Sequence, residues 1–292
     1  MVFESLVPPA FAARIARREG APGRAWLDSL PELVRRFCRE WSLTLDGPAR
    51  YGYVGLVLPV SRDDAAAAVL KLSWLDEETF DEPVALSTWD GDGAVLLLEY
   101  DPAGVMLLER LDAKRTLDGQ PIGFAVETAA KLLRRLSVPA PRLHRTMRAD
   151  AARWVERLPA TWEQLGRPLP RATLETAVDL CRKLGPAAGS SLVNEDLHYQ
   201  NVLAGTREPW LSIDPKPITG DVEFGVIPLL WNRIDESTID ERFSAIVTVG
   251  ELDGELAREW TLVRAVVNFL WALEQDDSGF AASLLRIVRW VT

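Results

Sequence analysis

Three oxygen-bearing side chains fall at a spacing suited to moving a phosphoryl group. The run Asn194-Glu195-Asp196-Leu197-His198-Tyr199-Gln200-Asn201-Val202-Leu203 sets an Asp five residues ahead of an Asn, which leads into a short β-type stretch. A second carboxylate, Asp214, ends the next strand-like segment in Ser212-Ile213-Asp214-Pro215-Lys216-Pro217. Transfer of phosphate to an alcohol needs one carboxylate to orient the hydroxyl and accept its proton. It also needs an amide oxygen and a second carboxylate to hold the Mg2+ that bridges the phosphates of ATP. Hard oxygen donors suit Mg2+, and no Cys or His cluster offers a softer site. Asp and Asn also cap turns, so the Asp-x4-Asn spacing says little alone. Its weight comes from the following hairpin and from Asp214.

Such chemistry also calls for a cation on the ATP phosphates. Lysine is scarce in this chain, and Val69-Leu70-Lys71-Leu72 puts one inside an apolar strand. A buried ammonium is costly unless paired, although a lysine on an edge strand can snorkel to water. The following segment offers Glu82 as its partner, with Glu77 and Glu78 as rivals. A strand Lys paired with a helix Glu is a kinase arrangement. Leu107-Leu108-Glu109-Arg110-Leu111 falls where a hinge between lobes would present backbone groups to adenine, and it reads equally as a plain strand end. Gly47, Gly52 and Gly55 stand where a phosphate-covering hairpin would lie, without matching G-x-G-x-x-G or a P-loop. His198 reads as a packing and hydrogen-bonding residue, since Asp196 already fills the base position. No Gly-x-Ser-x-Gly elbow or His-Glu-x-x-His helix is present, which sets aside triad hydrolases and zincins.

The elements that must position these groups follow from hydrophobic period. Pro31 to Trp41 has helical spacing, with Leu33, Val34, Phe37 and Trp41 on one face. Tyr51–Pro59 and Ala66–Leu72 form one predicted hairpin, Ala94–Tyr100 and Val105–Leu111 a second. A helix over Glu77–Trp89, with Phe80, Val84 and Ala85 at helical spacing, lies between them. Beyond Gly123 the chain reads as mainly helical: Phe124–Ser137, Leu174–Leu184, Leu252–Glu274 and a short closing helix. One strand pair, Val202–Leu203 with Trp210–Ile213, interrupts this half, and Trp231, Trp260, Trp271 and Trp290 are expected in the core. The class is α+β: residues 1–111 a small strand-rich lobe that binds nucleotide, residues 112–292 a larger helical lobe with the catalytic loop, metal site and substrate-binding helices.

The bulk properties of the 292 residues agree with a globular enzyme. A net charge of -10 argues against nucleic acid as the main partner and suits a cationic substrate, for which Asp235, Glu236 and Glu274 are acidic candidates. No apolar run is long enough to span a membrane. The first residues lack a secretory-signal pattern, and the two cysteines, Cys38 and Cys181, suggest a reducing, cytoplasmic setting. The oligomeric state is not written in the sequence.

Taken together, the segment Leu192–Asn232 resembles the aminoglycoside phosphotransferases, in particular the streptomycin 6-kinase and hydroxyurea phosphotransferase branch. The resemblance lies in Asp196-Leu197-His198, Asn201-Val202-Leu203-Ala204, Arg207-Glu208-Pro209-Trp210, Ile213-Asp214-Pro215-Lys216-Pro217, Gly220-Asp221 and Pro228-Leu229-Leu230-Trp231-Asn232. It extends to Val69-Leu70-Lys71-Leu72-Ser73-Trp74, Glu82, Leu107–Leu111 and Leu262-Val263-Arg264-Ala265, and covers most of the chain from Leu45 to Glu274. It implies a protein-kinase-like two-lobed fold and ATP-dependent phosphorylation of a small hydroxylated substrate, an aminoglycoside such as streptomycin. By the same resemblance Asp196 is the base, Asn201 and Asp214 hold Mg2+, and Lys71 with Glu82 positions the ATP phosphates, with Glu109 at the hinge. The retained residues would equally serve a kinase of another metabolite, or a degenerate nucleotide-binding protein. Two departures stand out. Asn194-Glu195 replaces the His-Gly that usually precedes the Asp, which sets a like charge beside the base, and Gly225 stands where a further Asp is usual.

Overall fold

The computed structural model describes residues 6–292. The chain forms two compact units, one comprising the residues up to Gly91 together with Val95–Leu111, the other Asp92–Ala94 together with Asp112–Thr292.

In the first unit the helical segment α1 (Pro9–Glu40) is two helical runs joined at Gly20, whose φ of 64° breaks the helix. Six antiparallel strands follow: β1 (Leu43–Leu45), β2 (Arg50–Tyr51), β3 (Gly55–Arg62), β4 (Ala67–Ser73), β5 (Leu97–Asp101) and β6 (Val105–Glu109), in the order β1-β3-β4-β6-β5 with β2 beside β3. Both expected hairpins are present, as β3–β4 and β5–β6. Alternation explains the core. Leu56, Leu58 and Val60 of β3 stand opposite Leu72, Leu70 and Ala68 of β4, and Leu70 and Leu72 in turn face Leu107 and Val105 of β6. This face packs on Phe11, Ile15, Leu30, Val34 and Phe37 of α1. Lys71 has the opposite parity, and β4 lies between β3 and β6, so the edge-strand reading of Lys71 does not hold.

The helix between the hairpins is shorter than its spacing suggests: α2 is Glu82–Trp89. Pro83 suits only a first turn. The preceding residues instead form a turn in which the Asp76 carboxylate accepts from the N–H groups of Glu78 and Thr79. Phe80, outside the helix, is therefore 49% exposed, and the buried face is Glu82, Ala85, Leu86 and Trp89.

The second unit holds β7 (Asp112–Thr116), α3 (Ile122–Leu136), α4 (Met147–Gln164), α5 (Arg171–Ala187), β8 (Ser191–Asn194), β9 (Val202–Ala204), β10 (Leu211–Ser212), β11 (Pro217–Gly220), α6 (Ile227–Trp231), α7 (Ile239–Gly250), α8 (Gly254–Glu274) and α9 (Ser278–Val291). The expected pair β9–β10 gains β7 as a third strand, and β8 pairs with β11 in a separate ribbon. One strand pair was expected here. The additional strands, β7, β8 and β11, are four or five residues long and either polar or mostly buried, so they carry no alternation. Trp260 is fully buried, edge-on to Phe224 with its indole N–H donating to Asp221. Trp271 departs from expectation at 42% exposed. It returns to nearly the same face of α8, but Asp221 and Phe224 pack against the other end of the helix. Among the described residues no helix is long and apolar enough to cross a membrane.

Truncating Leu70, buried on the inner strand β4, should cost about 2–5 kcal/mol. Denaturant unfolding of Leu70→Ala, followed by tryptophan fluorescence, reads the shift in midpoint.

Candidate active site

In the first unit the structure brings Lys71 and Glu82 together. Lys71 Nζ lies 2.6 and 2.8 Å from the two carboxylate oxygens of Glu82, and both residues are buried. Between Glu82 and its rivals the choice follows from local structure: Glu82 opens α2 on the buried face, whereas Glu77 and Glu78 lie in the turn before it. Glu109 ends β6. Its N–H donates to the Leu96 carbonyl at 3.0 Å, and its carboxylate accepts the Leu96 N–H at 2.8 Å. Glu109 thereby ties β6 to the strand that it pairs with.

In the second unit the loop after β8 carries Asp196 and Asn201, and the turn from β10 to β11 carries Asp214. The loop is held at its root by Asn194. Its side-chain oxygen accepts from the N–H groups of Asp196 (3.1 Å) and Lys216 (3.2 Å), and its amide nitrogen donates to Ser212 Oγ (3.2 Å). Asn201 Nδ2 donates to the Asp196 carbonyl at 3.2 Å, which turns the Asn201 amide oxygen the other way, and the Ile213 N–H donates to the Asn201 carbonyl. Asp214 takes a left-handed backbone, φ 50°, an uncommon choice for a non-glycine residue and one that clusters at functional sites.

Asp196 keeps 24% of its side chain exposed, enough for a hydroxyl to reach it. Burial pushes its carboxyl above the usual aspartate range. Lys216 and His198 pull it down, and Asp214 and Glu195 add to the rise. Lys216 Nζ stands 3.6 Å from Asp196 Oδ2, and His198 Nε2 stands 4.0 Å from the same oxygen. His198 is partly buried, as a packing residue would be, but its Nδ1 has no hydrogen-bond partner among the described residues. Among the described residues no group of three or more His, Cys, Asp or Glu side chains could hold a metal ion, so no all-protein metal cage is built. Asp235 and Glu236 are ion-paired, with Arg286 and Arg233.

A family model for aminoglycoside/hydroxyurea antibiotic resistance kinases matches residues 40–276. The chain belongs to that family. It is a small-molecule kinase. It is 44% identical to a hydroxyurea phosphotransferase of Kitasatospora aureofaciens over 89% of this chain and 78% of that protein. It is also 39% identical to a streptomycin 6-kinase of Streptomyces griseus over 96% of this chain and 95% of that protein. Among solved structures, choline kinase LicA of Streptococcus pneumoniae shares the fold at a TM-score of 0.62, with 14% identity over 90% of this chain and 98% of that one. The fold is thus α+β and protein-kinase-like.

The pair Asn194-Glu195, read from the sequence as a departure from the usual His-Gly, has a structural answer. The Glu195 carboxylate is turned to its arginine partners and is shut off from solvent. It is buried and ion-paired with Arg145 on one side and, at 3.7 Å, with Arg264 of α8 on the other. Arg145 also binds Asp150 at 2.7 Å, and Arg264 donates to the carbonyls of Glu195 and Phe224, both at 3.0 Å. Burial alone would raise the Glu195 carboxyl, but Arg145 and Arg264 outweigh it and hold it below the usual glutamate range. The like charge expected beside Asp196 is therefore largely compensated. Arg145 and Asn194 were not singled out from the sequence as supports, and Arg264 was noted only within the resemblance. The available signal was an arginine inside the apolar run Leu262-Val263-Arg264-Ala265-Val266. The second departure is steric: a Cβ on Gly225 would lie 2.5 Å from Leu133 Cδ1 and 3.3 Å from the Asn194 carbonyl.

Because its carboxyl is held low, Glu195 contributes stability that is complete above the ordinary glutamate range and is lost as pH falls through the folded value. Glu195→Gln should cost up to about 3–5 kcal/mol near neutral pH. The gap from wild type should narrow as pH falls below the ordinary glutamate range and close only at lower pH, once the folded wild-type carboxyl itself takes up a proton; thermal melts across pH give both readings. Gly225→Asp should destabilise by about 1–3 kcal/mol through overpacking, measured in the same way.

Proposed function

We propose that this kinase transfers the terminal phosphoryl group of ATP to a hydroxyl of an aminoglycoside, streptomycin being the first substrate to try. The reading is carried by identity of 39% and 41% to two streptomycin 6-kinases along nearly the whole of each chain. The relative at 44% identity is named for hydroxyurea, which makes that small hydroxylated molecule the second candidate. Asp196, partly open and with its carboxyl raised by burial, is the base for the substrate hydroxyl. Lys71, steadied by both oxygens of Glu82, binds the α/β-phosphates. Backbone groups of the Leu107–Leu111 segment, with Glu109 among them, receive the adenine, while the Glu109 N–H and carboxylate are held by Leu96.

Asn201 and Asp214 would hold the magnesium ion. An amide oxygen turned away from the Asp196 carbonyl and one carboxylate are hard donors. Two donors suit a Mg2+ that arrives with the nucleotide and keeps several waters better than a resident ion in a protein cage. When bound, that ion neutralises charge on the phosphates. In this scheme residues 1–111 supply nucleotide binding, and residues 112–292 supply the base, metal ligands and acceptor-binding helices. A supply of ATP and two free thiols, Cys38 and Cys181, fit a cytoplasmic enzyme.

The test is ADP release from Mg·ATP with streptomycin or hydroxyurea as acceptor. Turnover should depend on acceptor and on Mg2+, and Asp196→Asn should lower kcat by roughly 100- to 10,000-fold. Acceptor-independent ADP release, or an unaltered kcat in Asp196→Asn, would rule the assignment out.

A further inference from the structure

We propose that Lys216 is a further catalytic residue, whose ammonium contacts the phosphoryl group as it passes to the substrate hydroxyl. The inference rests on the assignment of Asp196 as the base. Its ground is the way in which the chain builds one lysine against that carboxylate. Lys216 lies between Pro215 and Pro217, whose rings fix φ on either side of it. Its own backbone is gripped at both ends: the N–H donates to Asn194 Oδ1 at 3.2 Å, and the carbonyl accepts the Glu195 N–H at 3.0 Å. The residues that root the base loop thus also root Lys216. From this fixed backbone the side chain places Nζ 3.6 Å from Asp196 Oδ2, with 30% of it exposed.

Charge and distance assign the role. Glu195 is answered chiefly by Arg145 and Arg264, with Lys216 a lesser influence. Lys216 stands against the carboxylate of Asp196, the side chain that must meet the acceptor. A hydroxyl that gives its proton to Asp196 must lie about 2.6–3.2 Å from that carboxylate. An ammonium 3.6 Å from the same carboxylate, on a flexible stem, is within reach of that hydroxyl oxygen and of the phosphorus bonding to it. In the transfer, the hydroxyl oxygen forms a bond to the terminal phosphorus of ATP while the bond from that phosphorus to the ADP oxygen breaks. The electron pair leaves on ADP, and the hydroxyl proton passes to Asp196. As Asp196 takes up that proton, its hold on Lys216 weakens, and the ammonium turns to the phosphoryl oxygens. Its attraction for them is then greater in the transition state than in the ground state, which is what accelerates a step.

The experiment compares wild type with Lys216→Met and Lys216→Arg. The steady-state expectation for Lys216→Met is a kcat lower by roughly 100- to 1,000-fold with KM for ATP changed less than about threefold, and partial recovery in Lys216→Arg. Calorimetry supplies a second readout that needs no acceptor. Mg·ADP with aluminium fluoride, a mimic of the phosphoryl group in flight, should bind Lys216→Met more weakly by a similar factor, while Mg·ADP alone binds as it does to wild type. Equal weakening of both complexes, or no weakening of either, overturns the proposal. A wild type that turns over neither streptomycin nor hydroxyurea counts against the proposed substrates, and the fluoride measurement still decides the role of Lys216.

Discussion

The loop that carries Asp196 depends on how the chain is held at Asn194-Glu195. Asn194 uses one side-chain amide to bind the N–H of the loop Asp, the N–H of Lys216 in the turn after Asp214, and Ser212 of the intervening strand. Glu195 uses one carboxylate to join the segment before α4, through Arg145, to α8, through Arg264. Two adjacent side chains therefore tie the loop, the β10–β11 turn and two helical regions to a single point. A buried carboxylate is a large cost in isolation. Here two guanidiniums compensate it, and Asp150 in turn balances Arg145.

A chain with Asn194-Glu195 at such a point supplies rigidity through those two side chains. A glycine leaves room for close packing; a glutamate fills that room and needs partners. The partners present are arginines, whose planar forks can bind a carboxylate and backbone carbonyls together. Arg264 does both, reaching the Glu195 carboxylate and the carbonyls of Glu195 and Phe224.

Much of this architecture was legible in the sequence, for particular reasons. The two hairpins announced themselves through turn residues between alternating strands, and α3, α5 and α8 through apolar stripes that end at Ser137, at Gly185-Pro186 and ahead of Asp276. Lys71 was conspicuous because an ammonium inside an apolar strand demands a partner. Other parts were less visible. Pro83 marks the true start of α2, yet the apolar spacing of Phe80 and Val84 drew the predicted helix five residues too far toward the N-terminus. Helix α4 carries Pro159 and many charges, which blur its stripe. Helix α7 had a local signature, Thr238 three residues ahead of Glu241, where the Thr238 hydroxyl accepts the Glu241 N–H and donates to its carboxylate, which hydrophobic period does not detect. The supports of the Asp196 loop were hidden for a different reason: Arg145 and Arg264 lie 50 and 69 residues from Glu195, and no local pattern reports so distant a pairing.

That separation also bears on how the enzyme is made. Synthesis runs from the N-terminus, and contacts between residues far apart in sequence form late, because the intervening loop must first be closed. Asp196 leaves the ribosome well before Arg264 does. Until α8 has emerged and docked, the Glu195 carboxylate lacks one of its two guanidiniums, and the backbone between Glu195 and Asp196 lacks the donor that fixes its carbonyl. A nascent chain that has already folded its first unit, with Lys71 and Glu82 paired, would still carry an unfinished loop. In this chain the contacts that complete the loop of Asp196 can be made only after α8 has been added.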